Sequence, residues 1–259
     1  MIFCLSAHDA VSSTNDLVKE ALRRGEPEGL AVWARRQDGG YGRQGRAWAS
    51  PPGGLYLSLL LRPEVPLAQL PTLSLVAGLA VREAIARSVA AEHDGRIQVK
   101  WPNDVVFARE GEGVAKLCGI SLERIAGGIC VGIGVNVLPP DDGDVATVSG
   151  KNRPCYLAEL GFTGGVVDSV RDSVLAAFSQ RYDRWCERGF APFLEEYGAH
   201  ALLTGKRVVV DDLAARVMAS GMVEGVDEHG RLLVHDEDSR QVVALSSGEA
   251  HISAIETLF

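Results

Sequence analysis

The sequence predicts an α+β fold: a mainly antiparallel sheet with flanking helices, followed by a small β-barrel-like second domain. Three observations lead there. Strand-length apolar runs crowd together between turn signals in the middle of the chain, long stripes of helical period stand apart from them, and beyond about Leu203 there is no room for a helix.

The first helix is expected from about Asn15 to Arg24. Leu17, Val18, Ala21 and Leu22 form one apolar stripe, Ser13 or Thr14 can cap the start, and Gly25 stops it. GLAVWARRQ then reads as a strand, and after a glycine loop LYLSLLLRP is a second, buried strand closed by Pro63. Pro71 is expected to open a helix with Leu73, Val76, Ala77, Ala80, Ala84 and Ile85 on its inner face. IQVKW, DVVFA, KLCGISLE and GICVGIGVNV follow as an antiparallel meander, broken by Pro-Asn-Asp, a charged loop from Glu110 to Gly113, and Gly127-Gly128. A longer helix spans about Val166 to Arg188, with Val170, Val174, Phe178, Tyr182 and Trp185 spaced mainly by three or four. KRVVV, ARVMASGMVEGV, RLLVHD and QVVALSSGEAHI then make short strands joined by Asp and Gly turns, which divides the chain into 1–203 and 204–259.

Composition narrows the function. With 46% hydrophobic and 23% charged residues the chain is an ordinary globular protein. Its net charge of -8 argues against a nucleic-acid partner, so any bound anion needs a local positive patch. Five scattered cysteines without a Cys-x-x-Cys pair read as reduced thiols, and six dispersed histidines give no metal-ligand spacing. MIFCLSAHDA has no basic leader and no stretch approaches the roughly 20 apolar residues of a membrane span, so a cytoplasmic protein is expected.

GGYGRQGR spaces its glycines as Gly40-x-Gly42-x-x-Gly45, the pattern of a dinucleotide fingerprint. That reading needs a helix directly after the glycines. RAWASPPGG follows instead, and Pro51 and Pro52 forbid one. What remains is either a loop whose backbone N–H groups and arginines Arg43 and Arg46 wrap an anion, or a hairpin with solvated arginines. KWPND sets a cation, an amide and a carboxylate around a turn, where Asn103 and Asp104 either hold a phosphate-bound magnesium or form an ordinary hairpin corner. Lys116 begins a strand, where a solvated side chain is the usual outcome.

The ordered set STN, GGYGRQGRAWASP, KWPND, KLCGISLE and VGIGVN resembles the biotin protein ligases from about Ser12 to Asn136, and SGEAHI is similar to their small C-terminal barrel. The resemblance implies a biotin/lipoate ligase-like catalytic domain plus an SH3-like C-terminal domain, of the short type without a DNA-binding helix-turn-helix. It implies an enzyme that activates biotin with ATP as biotinyl-5'-AMP and transfers it to a lysine of a biotin carboxyl carrier protein such as that of acetyl-CoA carboxylase. Carried over residue by residue, it assigns Ser13, Thr14, Asn15, Gln37, Gly40, Tyr41, Gly42, Arg43 and Lys116 to biotin. It assigns Arg43, Arg46, Trp48, Asn103, Asp104, Lys116 and Asn136 to the nucleotide, with Lys116 and Arg43 as the catalytic cations. Mg2+ is expected through the ATP phosphates, with Asn103 and Asp104 as candidate ligands. One departure is clear: the family loop reads Gly-Arg-Gly-Arg, and Tyr41 stands in place of its first arginine. The rivals are a lipoate ligase, which shares the chemistry, and a non-catalytic module that binds biotin or biotinyl-AMP. The resemblance allows a homodimer through an exposed sheet edge without requiring one.

Overall fold

The computed structural model describes residues 1–109, 111, 113–140 and 153–253; Glu110 and Glu112 of the expected charged loop lie outside the described residues. The chain opens with β1 (Cys4–Val11), α1 (Thr14–Arg23), β2 (Leu30–Gln37) and β3 (Leu55–Leu61). Then come α2 (Leu73–Ser88), β4 (Ile97–Lys100), β5 (Asp104–Arg109), β6 (Gly113–Ile125), β7 (Gly128–Val135) and the two-residue β8 (Arg153–Pro154). They form one sheet of order β1-β2-β3-β7-β6-β5-β4, with β8 beside β6. Pairing is antiparallel except for β1 with β2 and β6 with β8.

Alternation along β3 fixes the layers. Leu55, Leu57, Leu59 and Leu61 join the main core with α2 and α3 (Val167–Arg188), whereas Leu60 packs with Val18, Ala21 and Leu22 of α1. So α1 covers one face of the sheet and the two longer helices cover the other. The periodic residues expected on the long helix are its buried face: Val170, Val174, Phe178, Tyr182 and Trp185.

Two local expectations shift. Pro71 lies inside a 3-10 turn, Leu67–Thr72, and the α-helix starts after it at Leu73. β1 carried no strand signal, because as an edge strand it leaves much of itself exposed and includes His8 and Asp9 rather than an apolar alternation.

After α4 (Leu194–His200), β9 (Arg207–Asp211), β10 (Val217–Val226), β11 (Leu232–Asp236), β12 (Val242–Leu245) and β13 (Glu249–Ile252) form an antiparallel sheet of order β12-β11-β10-β9-β13. Among the described residues its two end strands do not pair, so the small unit is an open sheet and not a closed barrel. It is anchored to the first sheet where Trp101 Nε1 donates to the Gly230 carbonyl at 3.0 Å. Among the described residues no helix is long and apolar enough to cross a membrane.

Candidate functional site

Strand register builds a trough on the α1 side of the large sheet. Ser58, Gly132 and Ser121 lie in one cross-strand row, and Tyr56, Gly134, Gly119 and Asp104 in the next. Side chains in these rows stand on the same face, since each strand contributes residues two apart. The floor is open because there is little there to fill it. A Cβ on Gly132 would stand 2.4 Å from Asn15 Oδ1, and one on Gly134 would stand 2.7 Å from the Trp48 ring, so any larger residue at either position must push a site side chain aside. The resulting cavity has a volume of about 490 Å³.

One end of the trough is a buried polar network. Gln37 Oε1 accepts from the Thr14 backbone N–H at 2.8 Å and from Thr14 Oγ1 at 3.0 Å, while Gln37 Nε2 donates to Ser50 Oγ at 2.9 Å. Gln37 thereby serves the first turn of α1, where Ser13 occupies the N-cap position but makes no side-chain cap bond. Ser58 Oγ lies 2.7 Å from both Thr14 Oγ1 and Asn15 Oδ1, and its single proton can serve one of them at a time. Asn15 Nδ2 reaches Ser121 Oγ only at a stretched 3.4 Å. Donor and acceptor capacity is therefore left over at this end, beside the cavity.

The other end is cationic. Lys116 reaches it through a β-bulge: Val105 pairs with Cys118 but Val106 with Lys116, so Leu117 is the extra residue. Without the bulge Lys116 would share the core face of Cys118 and Ile120; with it, the side chain lies across Gly119 into the cavity. Lys116 Nζ sits 2.7 Å from Asp104 Oδ1 and 5.3 Å from the centroid of Trp48. Lys100 also lines the cavity, where burial, aided by Lys116, pushes its ammonium pKa down against the opposing pull of Asp104 and Glu249. Trp48 Nε1 is buried without a partner among the described residues.

The loop from Gly39 to Ala47 covers the trough. Arg43 NH1 donates to Asn103 Oδ1 at 2.9 Å, and burial holds its guanidinium pKa below the usual value. Arg46 pairs with Glu249 of β13, so the C-terminal sheet closes the cationic end, with Asp211 and His251 also at the wall. Tyr41 turns the other way, onto α1.

Of the residues singled out in the sequence, Thr14, Asn15, Gln37, Tyr41, Gly42, Arg43, Arg46, Trp48, Asn103, Asp104 and Lys116 line the cavity together. Ser13, Gly40 and Asn136 do not. The Gly40 carbonyl accepts from the Trp48 backbone N–H at 2.9 Å, and Asn136 Nδ2 donates to the Lys116 carbonyl at 2.9 Å, so Asn136 supports the bulge from behind. Residues that sequence reasoning missed are Ser58 and Ser121, which look like ordinary strand positions until paired, and Asp211, Glu249 and His251, which come from the second sheet.

The fold and site together place a buried polar pocket end to end with a cationic one on the face of a mixed sheet. The chain belongs to the biotin/lipoate A/B protein ligase family, whose model matches residues 8–138, and the biotin protein ligase C terminal domain matches residues 204–251. The chain is 32% identical over 243 residues to a biotin–[acetyl-CoA-carboxylase] ligase of Paracoccus denitrificans, covering 90% of this chain and 96% of the relative. It is 32% identical over 245 residues to the ligase of that name in Mycobacterium tuberculosis, covering 93% and 86% respectively. Among solved structures, the biotin protein ligase of Aquifex aeolicus in complex with biotin and ATP superposes with a TM-score of 0.76 at 30% identity, over 96% of this chain and 98% of that one.

Proposed function

We propose that the chain is an ATP-dependent biotin protein ligase: it makes biotinyl-5'-AMP and transfers biotin to a lysine of a biotin carrier protein such as that of acetyl-CoA carboxylase. The observation that carries this reading is the trough itself, which joins a buried set of polar side chains with spare hydrogen-bonding capacity to a cluster of cations. Biotin's ureido group offers two N–H donors and one carbonyl acceptor. They match the capacity left over at Asn15, Ser58 and Ser121, with the valerate running over Gly134 and Gly119 toward Lys116. Lipoate has no polar group on its ring and would leave this network unpaired in the bound state, which disfavours it. In this reading the chain divides into 1–203, which holds both substrates, and 204–259, which completes the nucleotide end, and the enzyme works in the cytoplasm.

In the first half-reaction a biotin carboxylate oxygen attacks the α-phosphorus of ATP and pyrophosphate leaves. The carboxylate is already ionised near neutral pH, so no side-chain base is needed. The obstacle is repulsion between two anions. Lys116 and Arg43 stand at the junction of head-group and cationic ends, and Lys100 lies farther along to meet the leaving phosphates. Asp104 keeps Lys116 over the Trp48 ring, so the charge is in position before the substrates arrive. In the second half-reaction the acceptor amine attacks the acyl carbon and AMP leaves, while the loop from Gly39 to Ala47 keeps water from the anhydride.

Magnesium fits this site only as an ion carried on the triphosphate. Among the described residues no group of three His, Cys, Asp or Glu side chains could hold a metal by itself, and Asn103 Oδ1 already accepts from Arg43. Asp104, beside Lys116, is the carboxylate placed to reach it, and the ion would supply charge neutralisation at the phosphates.

Labelled-biotin transfer to a carrier domain, with and without ATP, tests the reading, with biotin- and lipoate-dependent pyrophosphate exchange run in parallel. ATP-dependent labelling with biotin-selective exchange is expected. Exchange with lipoate alone would turn the assignment to a lipoate ligase, and biotin binding without turnover would turn it to a sensor.

A further inference from the structure

The covering loop is tied down at three places by three different side chains. Arg43 bonds Asn103 at the turn after β4, Arg46 pairs with Glu249 on β13, and Tyr41 bonds α1. Only the third stands at the head-group end of the trough. There Tyr41 Oη donates to Asp16 Oδ1 at 2.8 Å and accepts a short hydrogen bond from Lys19 Nζ. Lys19 is itself held by Asp16 at 3.1 Å and by Glu123 of β6 at 3.2 Å, and its ammonium lies 4.8 Å from the centre of the Tyr41 ring. The Lys19 side chain is only 13% exposed and Glu123 31%, so that pair is shielded from solvent, whereas Asp16 at 54% is open to it. One loop residue is thus bound to a helix and, through that helix's lysine, to the sheet.

A second cleft, of about 360 Å³, lies along the loop between Tyr41–Gly45 and Ser121–Glu123. Ser121 lines both this cleft and the main cavity. The loop is therefore the partition between the head-group end of the trough and a cleft beside it, and the Tyr41 tether is what holds the partition at that end.

We propose that Tyr41 and Lys19 are positioning residues that dock the loop over the head-group end, and that they set the residence time of biotin and biotinyl-AMP. At the position of the family loop's first arginine this chain uses two side chains, a tyrosine that reaches out of the loop and a helix lysine that supplies the cation. The inference rests on the ligase reading for its ligand but on the hydrogen bonds above for its geometry.

The test compares wild type with Tyr41→Phe, Lys19→Met, the double variant and Lys19→Arg. The readouts are dissociation of labelled biotin, release of free biotinyl-AMP, and tryptic cleavage after Arg43 and Arg46 in the ligand-free protein. Each single loss should speed dissociation and raise the KM for biotin about tenfold, the worth of a hydrogen bond to a charged group, while kcat falls far less. Because both side chains serve one tether, the double variant should be no worse than the worse single, and Lys19→Arg should retain most of the effect. Cleavage after Arg43 should accelerate in the same order. If wild type transfers biotin but the variants leave dissociation and cleavage unchanged, or if the two losses add in full, the tether is overturned. If wild type fails to transfer biotin, the ligase reading falls and the residence-time role with it, whatever the cleavage rates.

Discussion

Between β3, β7 and β6 the floor of the site is held by backbone pairing and by residues with almost no side chain, whereas the loop above it makes one antiparallel bridge, Tyr41 with Ala47, and takes its position from charged side chains. At Gly132 and Gly134 an added atom must therefore displace a neighbouring side chain, and the strand pairing itself does not depend on ionic contacts. The loop tolerates many side chains but depends on where their charges land. Damage to the floor should remove catalysis, and damage to the loop should change what is retained.

The sharpest test of that division is Lys116→Ala, which removes the floor's cation beside Asp104 and should lower biotin-dependent pyrophosphate exchange by about two to three decades. A near wild-type exchange rate would show that Lys116 has no part in the first half-reaction. Next in size is Gly134→Ala. Its methyl must displace the Trp48 ring, and a misplacement of about 1 Å costs on the order of a hundredfold in rate, read in the same assay with circular dichroism to check the fold. Arg43→Gly should leave synthesis of the adenylate less affected and its retention more so, with free biotinyl-AMP in the medium rising about tenfold for the lost charged hydrogen bond. Equal losses in synthesis and retention would erase the contrast between floor and loop. Smallest is Glu249→Gln: its pair with Arg46 is half exposed, so the KM for ATP should move by no more than about threefold.

Much of this was legible in the residues, and the reasons differ by element. The apolar stripes of α1 and α3 and the solid leucines of β3 announced themselves because burial leaves a periodic trace. The loop glycines were visible, and Pro51 and Pro52 ruled out the helix that a dinucleotide site needs. Lys116 was legible as a family position but not from periodicity. The simple alternation of β6 puts it on the wrong face, and only the bulge at Leu117, seen in the pairing with β5, re-aims it. Gln37 looked like a ligand contact, yet its clearest bonds are to the start of α1, 23 residues away in sequence. Glu249 was visible only as part of the SGEAHI motif, without a role, and Lys19 carried no local signal, since both act across elements brought beside the loop by the fold.

The glycines in the trough floor carry a consequence for how this chain could change. A pocket lined by large residues can be reshaped by trimming or extending them one at a time. Here the width at Gly132 and Gly134 is set by the spacing of hydrogen-bonded strands, which no substitution at those two glycines can enlarge and any substitution there narrows. New ligand shapes are therefore accessible through the larger residues around the two glycines, Trp48, Tyr56 and the loop. That makes the floor a fixed gauge and the rim the part that selection or engineering can adjust.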